Sequence, residues 1–106
     1  MCAHKNRLRF SPRARQDFAQ ILAYTERVWG EGQKAVYRGV ISDALRHLGE
    51  HPDLGESRDE LFFGCRVFRV GQHVVFDHRS NRSELVILRI VHYRQDIQLS
   101  HLLFES

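Results

Sequence analysis

The chain has 106 residues and a formal net charge of +3, and this length predicts one domain spanning residues 1–106. It contains no apolar run that could act as a signal sequence or cross a bilayer, which excludes a membrane-spanning protein and favours a soluble cytoplasmic one. Its two cysteines, Cys2 and Cys65, lack the spacing of a metal site or redox motif, so we expect free thiols, no metal and no other cofactor.

Charge is distributed unevenly along the chain. Residues 1–15 and 58–94 are basic, whereas residues 16–57 and the last twelve are acidic. Arginine outnumbers lysine 14 to 2, and guanidinium groups suit bidentate contacts with carboxylate or phosphate. We expect most of these arginines to be solvated or paired with nearby acids.

The N-terminal part of the chain predicts a short strand followed by a helix. Residues 1–6 are expected to be flexible, and Leu8 and Phe10 alternate with arginines as in a half-buried strand. Ser11 before Pro12 is typical of a helix N-cap with proline in the first turn. The residues predicted on the apolar face of this helix are Ala14, Phe18, Ile21, Leu22, Thr25, Val28 and Trp29.

A second helix is predicted after the first. Gly30 ends the first helix, and apolar residues again share one helical face from Glu31 to Leu48. Gly49 and Pro52 oppose any continuation. The connection is so short that the two helices must form an antiparallel hairpin.

The sequence period then changes from near 3.6 to 2, which predicts an α+β fold with the hairpin packed on one face of an antiparallel sheet. Gly71 and Gln72 are predicted to form a two-residue type II′ turn, with a positive φ at Gly71. The resulting register places Arg66 opposite Asp77 and predicts a cross-strand ion pair between them.

The last predicted strand is apolar on both faces, which indicates a position inside the sheet. One face is expected to hold Val86, Leu88, Ile90 and His92. The other is expected to hold Leu85, Ile87, Arg89 and Val91. The strand ends in a polar cluster, residues 92–96, at the rim of the sheet, and residues 97–106 are expected to be a tail or short helix.

Four segments match one known family in their order and spacing: HPDLG at 51–55, RDEL at 58–61, GCRVFRVGQHVVF at 64–76 and RIVHYRQD at 89–96. Together with the first helix they resemble the ParE toxins of the ParE/RelE superfamily, over about residues 8–96. The resemblance implies a strand, a helical hairpin and a curved antiparallel sheet. It also implies a toxin of a bacterial type II toxin–antitoxin module.

The resemblance implies two protein partners. A ParE toxin inhibits DNA gyrase by protein contact and blocks replication, and a cognate ParD-like antitoxin neutralises it in a hetero-oligomer. The residues predicted to contact the target are Arg69, His73, Arg89, His92, Tyr93 and Arg94. The residues predicted to contact the antitoxin are Tyr24, Trp29 and Tyr37, although Trp29 and Tyr37 are also candidates for simple core packing.

A second hypothesis is a ribosome-dependent mRNA endoribonuclease of the RelE type. In that case His73 and His92 would act as acid or base and Arg94 would hold the phosphate. Against this, RelE-like nucleases carry several basic residues across the sheet and a C-terminal tyrosine, whereas both lysines here precede the sheet and residues 97–100 include no tyrosine.

Purely structural roles are alternatives for several of these residues. His92 could simply close the strand end by a hydrogen bond, and Asp96 could cap the strand or pair with Arg94. A degenerate family member that only binds an antitoxin is a third possibility. The isolated histidines, expected to have no special function, are His4, His47 and His101.

Overall fold

The computed structural model describes residues 7–61, 63–81 and 84–94, so predictions for Cys2, Asp96 and the tail lie outside the described residues. The elements run β1 (Arg7–Phe10), α1 (Pro12–Trp29), α2 (Glu31–Glu50), β2 (Glu56–Ser57), β3 (Arg66–Val70), β4 (His73–Asn81) and β5 (Glu84–His92). A 3₁₀ turn at Pro52–Leu54 joins α2 to β2. The strands form one sheet in the order β1-β5-β4-β3-β2, which confirms the α+β prediction.

The sheet is mixed, whereas the sequence predicted an antiparallel one. Strands β2 to β5 pair in antiparallel fashion, but β1 runs parallel to β5, with Arg7 opposite Glu84 and Phe10 opposite Ile87. Two helices and three strands separate β1 from β5 in sequence, so no tight turn forces these two strands to run in opposite directions.

The helices begin and end where local chemistry directs. Ser11 caps α1, because its Oγ accepts a hydrogen bond of 3.0 Å from the backbone N–H of Ala14. Gly30 ends α1 with a φ of +96°, a conformation that other residues rarely adopt. Helix α2 runs two residues beyond its predicted end, because Gly49 is accommodated within it and Pro52 provides the stop. Within the described part of the chain, neither helix combines the length and apolarity needed to cross a bilayer.

The Gly71–Gln72 turn sets the register of β3 and β4 as predicted. Gly71 has a φ of +56°, and Gln72 does not have a positive φ, as a type II′ turn requires. The predicted pairs that the structure confirms are Arg66–Asp77, Val67–Phe76, Phe68–Val75, Arg69–Val74 and Val70–His73.

Apolar side chains form two clusters on the sheet. The first packs beneath the hairpin and includes Ala14, Ile41, Leu45, Leu48, Val70, Val75, Leu85, Ile87 and Ile90. The second consists of Cys65, Phe76, Val86, Leu88 and Val91. Because neighbouring strand residues alternate between these clusters, the second lies on the face of the sheet away from the helices.

A bulge in β5 alters this alternation. Phe76 pairs with Arg89 while Asp77 pairs with Ile87, which leaves Leu88 as the additional residue. The predicted faces of β5 are therefore wrong for its second half. Ile90 packs with Leu85 and Ile87 under the helices, and Val91 packs with Val86 and Leu88 on the other face.

The predicted ion pair between Arg66 and Asp77 does not form, although the two residues are opposite each other. The guanidinium of Arg66 donates instead to the backbone carbonyl of Gly55. Asp77 is fully buried, and among the residues that the structure describes neither of its carboxylate oxygens has a hydrogen-bond partner. Burial raises the pKa of Asp77 to about 7, even though the charges of Arg66 and Arg79 lower it.

We expect Asp77 to make the folded chain less stable as the pH rises from about 4 to about 7. The folded state keeps the Asp77 proton up to its pKa of about 7, whereas the unfolded chain releases it near pH 3.9. The folded state therefore binds more protons across this window, and the free energy of unfolding should fall by a few kcal/mol, at about 1.4 kcal/mol per pKa unit. Above that window the contribution should stay constant.

Urea denaturation of the wild type and Asp77→Asn from pH 4 to pH 8 measures this effect, because the other titrating groups are common to both. The free energy of unfolding of Asp77→Asn, relative to that of the wild type, should rise as the pH increases from about 4 to about 7. Asp43→Asn, which alters an exposed carboxylate on α2, is the matched control and should show a constant difference. A constant difference for Asp77→Asn as well would show that Asp77 is not protonated in the folded chain.

Candidate functional site

The start of α1 is attached to β5 where β1 ends. The backbone N–H of Ser11 donates to the carbonyl oxygen of Ile87 at 2.9 Å, and its Oγ donates to that of Leu88 at 2.8 Å. Strand β1 pairs with β5 only as far as Ile87. Beyond this point residues at the start of α1 cover the edge of β5 that would otherwise be exposed.

A buried ion pair makes the next attachment. Arg89 donates through Nε to Asp17 Oδ2 at 2.8 Å and through its terminal nitrogen to Oδ1 at 3.2 Å. The backbone N–H of Ile90 also donates to Asp17 Oδ2, at 3.0 Å. Asp17 is 6% exposed and Arg89 is 4% exposed. Arg89 was predicted as a target contact; in the structure its guanidinium is engaged by Asp17 and holds α1 on the sheet, and the target contact itself stays a prediction.

The sequence contains a signal for this pair, because each of the two residues is a charge in an apolar context. Asp17 falls on the apolar face of α1 between Ala14 and Ile21, and Arg89 is the one charged residue inside the apolar run of β5. A charge on a face destined for the core requires a partner of opposite sign. The two residues are 72 positions apart, so only the fold pairs them.

A cavity of about 790 Å³ opens beside this pair. The helical hairpin forms one wall, and the β3–β4 turn and the end of β5 form the other. The predicted site residues that line it are Tyr24, Trp29, Tyr37, His73, Arg89 and His92. The structure thus brings residues predicted for the antitoxin and residues predicted for the target to one cavity.

The three aromatic residues of the hairpin that line the cavity differ in exposure. Trp29 is 70% exposed and Tyr24 is 55% exposed, so core packing, one alternative for Trp29, is wrong. Tyr37 is half-buried and packs against the first apolar cluster. The guanidinium of Arg27 lies 5.5 Å from the ring centre of Tyr24. Trp29 and Tyr24 therefore present apolar surface at the mouth of the cavity.

Tyr37 and His73 form a short hydrogen bond, with 2.6 Å between the hydroxyl oxygen and Nδ1. Burial raises the pKa of Tyr37 despite the opposing effects of the Gln72 backbone N–H and the charge of Arg69. Burial and the nearby His92 lower the pKa of His73. Both shifts favour the uncharged forms, so the bond joins a protonated hydroxyl to a neutral imidazole, and the tautomer of His73 decides which of the two donates.

Gly71 allows this contact. A Cβ at this position would lie 3.1 Å from the Tyr37 hydroxyl oxygen, and the φ of +56° is itself unfavourable for any other residue. The Gln72 backbone N–H faces the same oxygen at 3.4 Å. The turn that sets the register of the sheet thus also positions Tyr37 against His73.

Two arginines pack against one tyrosine at the end of the sheet. The guanidinium carbons of Arg69 and Arg94 lie 4.2 Å and 5.2 Å from the ring centre of Tyr93. Nε of Arg94 also donates to the Tyr93 hydroxyl at 2.9 Å. We call Arg69, Tyr93 and Arg94 the Tyr93 cluster. All three side chains are exposed, so the cluster combines an aromatic face and two positive charges on the surface.

His92 lies between the Tyr93 cluster and His73. Its Nδ1 accepts the backbone N–H of Arg94 at 3.2 Å, which is a strand-closing hydrogen bond of the kind considered from the sequence. Its ring centre is 5.6 Å from that of His73 and 4.8 Å from that of Tyr93. One continuous polar strip therefore runs from Tyr37 through both histidines to the Tyr93 cluster.

Comparisons with known proteins agree on one family. Residues 8–97 match the family model described as the ParE toxin of the type II toxin–antitoxin system parDE. The chain is 36% identical over 84 residues to Toxin ParE1 of Caulobacter vibrioides, which covers 79% of this chain and 85% of the relative. It is 27% identical to Toxin ParE of Escherichia coli over the same length, with 79% and 82% covered.

Two solved structures share the fold. The chromosomal ParDE system from P. aeruginosa superposes with a TM-score of 0.70 at 20% identity, covering 84% of this chain and 97% of that chain. The toxin–antitoxin complex RelBE2 from Mycobacterium tuberculosis superposes with a TM-score of 0.62 at 20% identity, covering 83% and 98%. At this identity the structures support the fold.

Proposed function

Because the chain belongs to the ParE family of type II toxins, we propose that it inhibits DNA gyrase by direct contact in the cytoplasm and thereby blocks replication. The Tyr93 cluster carries the proposal. Tyrosine and arginine are the side chains that most often dominate protein–protein binding energy, and here they are already packed against each other on the surface. Little rotamer freedom remains to be lost on binding.

We expect Tyr93→Ala and Arg69→Ala to weaken gyrase inhibition by roughly 30-fold each, which corresponds to about 2 kcal/mol. Tyr93→Ala removes the ring that both guanidinium groups contact, and Arg69→Ala removes the closer of the two charges. The measurement is the concentration of purified toxin that halves supercoiling by gyrase.

Arg46→Ala is the matched control. Arg46 is an exposed arginine on α2 that pairs with Asp43, and its loss should leave inhibition unchanged. Circular dichroism checks that each variant is folded. Wild-type toxin that leaves supercoiling untouched at high molar excess would contradict the proposal, as would equal inhibition by all three variants.

The His73–His92 pair favours one second candidate, the ribosome-dependent endoribonuclease. Two imidazoles beside an open cavity are suited to acid–base chemistry on RNA. However, Nδ1 of His73 is already engaged by the Tyr37 hydroxyl, so only Nε2 of this ring is left to exchange a proton with RNA. Cleavage of mRNA in a translating extract that is lost in His92→Ala would support this candidate over gyrase.

We also propose that a cognate ParD-like antitoxin neutralises the toxin by covering the mouth of the cavity. Tyr24 and Trp29 are exposed apolar groups there, and the half-buried Tyr37 lines the same cavity. Arg13 and Gln20 line the same opening, so a segment with apolar and acidic side chains would fit it. Such a segment would also cover His73 and His92 and separate them from a target.

We expect antitoxin binding to shift the fluorescence of Trp29 to shorter wavelength. Trp29 is the one tryptophan of the chain and is largely exposed, so covering it moves the indole from water into an apolar environment. Trp29→Ala should weaken binding of the antitoxin by roughly 30-fold, since buried tryptophans dominate many interfaces. Titration with the purified cognate antitoxin provides the measurement.

Val36→Ala is the control for this second test. Val36 is exposed on α2 and does not line the cavity. Its loss should leave the affinity unchanged. An antitoxin that binds tightly without moving the emission of Trp29 would place its contact elsewhere on the toxin.

A further inference from the structure

Two histidines and a glutamate converge at the end of α2, away from the cavity. One ligand atom from each of His47, Glu50 and His51 lies within 4.8 Å of those of the other two. The imidazole rings of His47 and His51 have centres 4.8 Å apart. Both histidines are exposed, and Glu50 is partly buried.

Helix geometry explains this convergence. His47 and His51 are four positions apart, and Glu50 is three positions after His47, so all three project from one side of the last turn. The backbone N–H of His51 donates to the His47 carbonyl oxygen at 2.9 Å, which keeps the helical spacing up to His51. The turn that starts at Pro52 then fixes the exit of the chain.

We propose that His47, Glu50 and His51 form a binding site for one Zn²⁺ ion. Two imidazole nitrogens and a carboxylate oxygen are a common donor set for zinc, and histidines four positions apart on a helix can reach one ion. The carboxyl end of a helix carries partial negative charge, which favours a cation there. Three protein ligands leave one tetrahedral position for water or a ligand from another molecule.

The proposed zinc site is separate from the surface assigned to gyrase and antitoxin. Gln33 and Tyr37 are the α2 residues that line the cavity. His47 lies ten residues after Tyr37, about 15 Å along the helix axis at 1.5 Å per residue. Zinc binding and toxin activity can therefore be tested independently of each other.

A bound ion would link the last turn of α2 to His51, the residue that follows the helix and begins the connection to β2. Because the unfolded chain does not hold the three ligands together, binding should stabilise the folded state in proportion to the logarithm of free zinc. The metal would thereby fix the connection between the helical hairpin and the sheet edge at Glu56–Ser57.

Isothermal titration of the full-length, metal-free protein with zinc chloride tests the proposal, and one ion should bind per chain. His47→Gln and His51→Gln should each lose more than the roughly 10–100-fold in affinity that removal of a supporting outer residue costs at metal sites. Asp43→Asn, on the same helix but outside the three ligands, should bind like the wild type.

The double variant His47→Gln/His51→Gln is the decisive case, because the chain has seven histidines and five remain in it. Zinc binding by this folded variant as tight as that of the wild type would overturn the proposal. Imidazole NMR of the wild type gives an independent readout. Zinc should shift the ring resonances of His47 and His51 first, and an earlier shift of any other histidine would also overturn it.

Discussion

The buried ion pair between Asp17 and Arg89 is the contact on which the architecture depends. It joins the second turn of α1 to the inner part of β5, and both charges have lost nearly all contact with water. Removing Asp17 would leave the Arg89 charge buried and uncompensated, and removing Arg89 would leave Asp17, among the described residues, only its longer ion pair with Arg13 at 3.9 Å. Breaking a buried pair in this way costs about 3–5 kcal/mol. Asp17 also accepts the Ile90 N–H, so one carboxylate pairs a charge and completes the hydrogen bonding of a strand that β1 no longer covers.

The cavity follows from the same attachment. With α1 held on β5, the hairpin stands over the end of the sheet and brings Tyr37 within hydrogen-bond distance of His73. Gly71 makes room for the tyrosine, and β5, which ends opposite His73, leads through His92 to the exposed Tyr93. A rigid inner part built of buried contacts thus supports an outer surface of aromatic and guanidinium groups, as we expect of a protein that acts by binding.

The sequence predicted those parts of the fold that depend on local chemistry. The cap at Ser11, the end of α1 at Gly30 and the Gly71 turn are each determined by a few adjacent residues, and the structure confirms them, whereas α2 continues through Gly49 to Glu50. It did not predict the bulge at Leu88 or the partner of Asp17, because both depend on segments far apart in the chain. For the site, residue type and position at the end of a strand predicted that the side chains of the Tyr93 cluster lie at the surface, and they are exposed. The burial of Arg89 could not be predicted without knowing that Asp17 of α1 packs against it.

A double-mutant cycle on Asp17→Asn and Arg89→Met measures how strongly the pair holds α1 on the sheet. Urea denaturation at neutral pH gives the free energy of unfolding of the wild type, both single variants and the double variant. We expect a loss of about 3–5 kcal/mol for each single variant. The loss in the double variant should be smaller than the sum of the two single losses by at least about 2 kcal/mol. Small and additive losses, with a coupling below about 0.5 kcal/mol, would show that the pair does not hold α1 on the sheet.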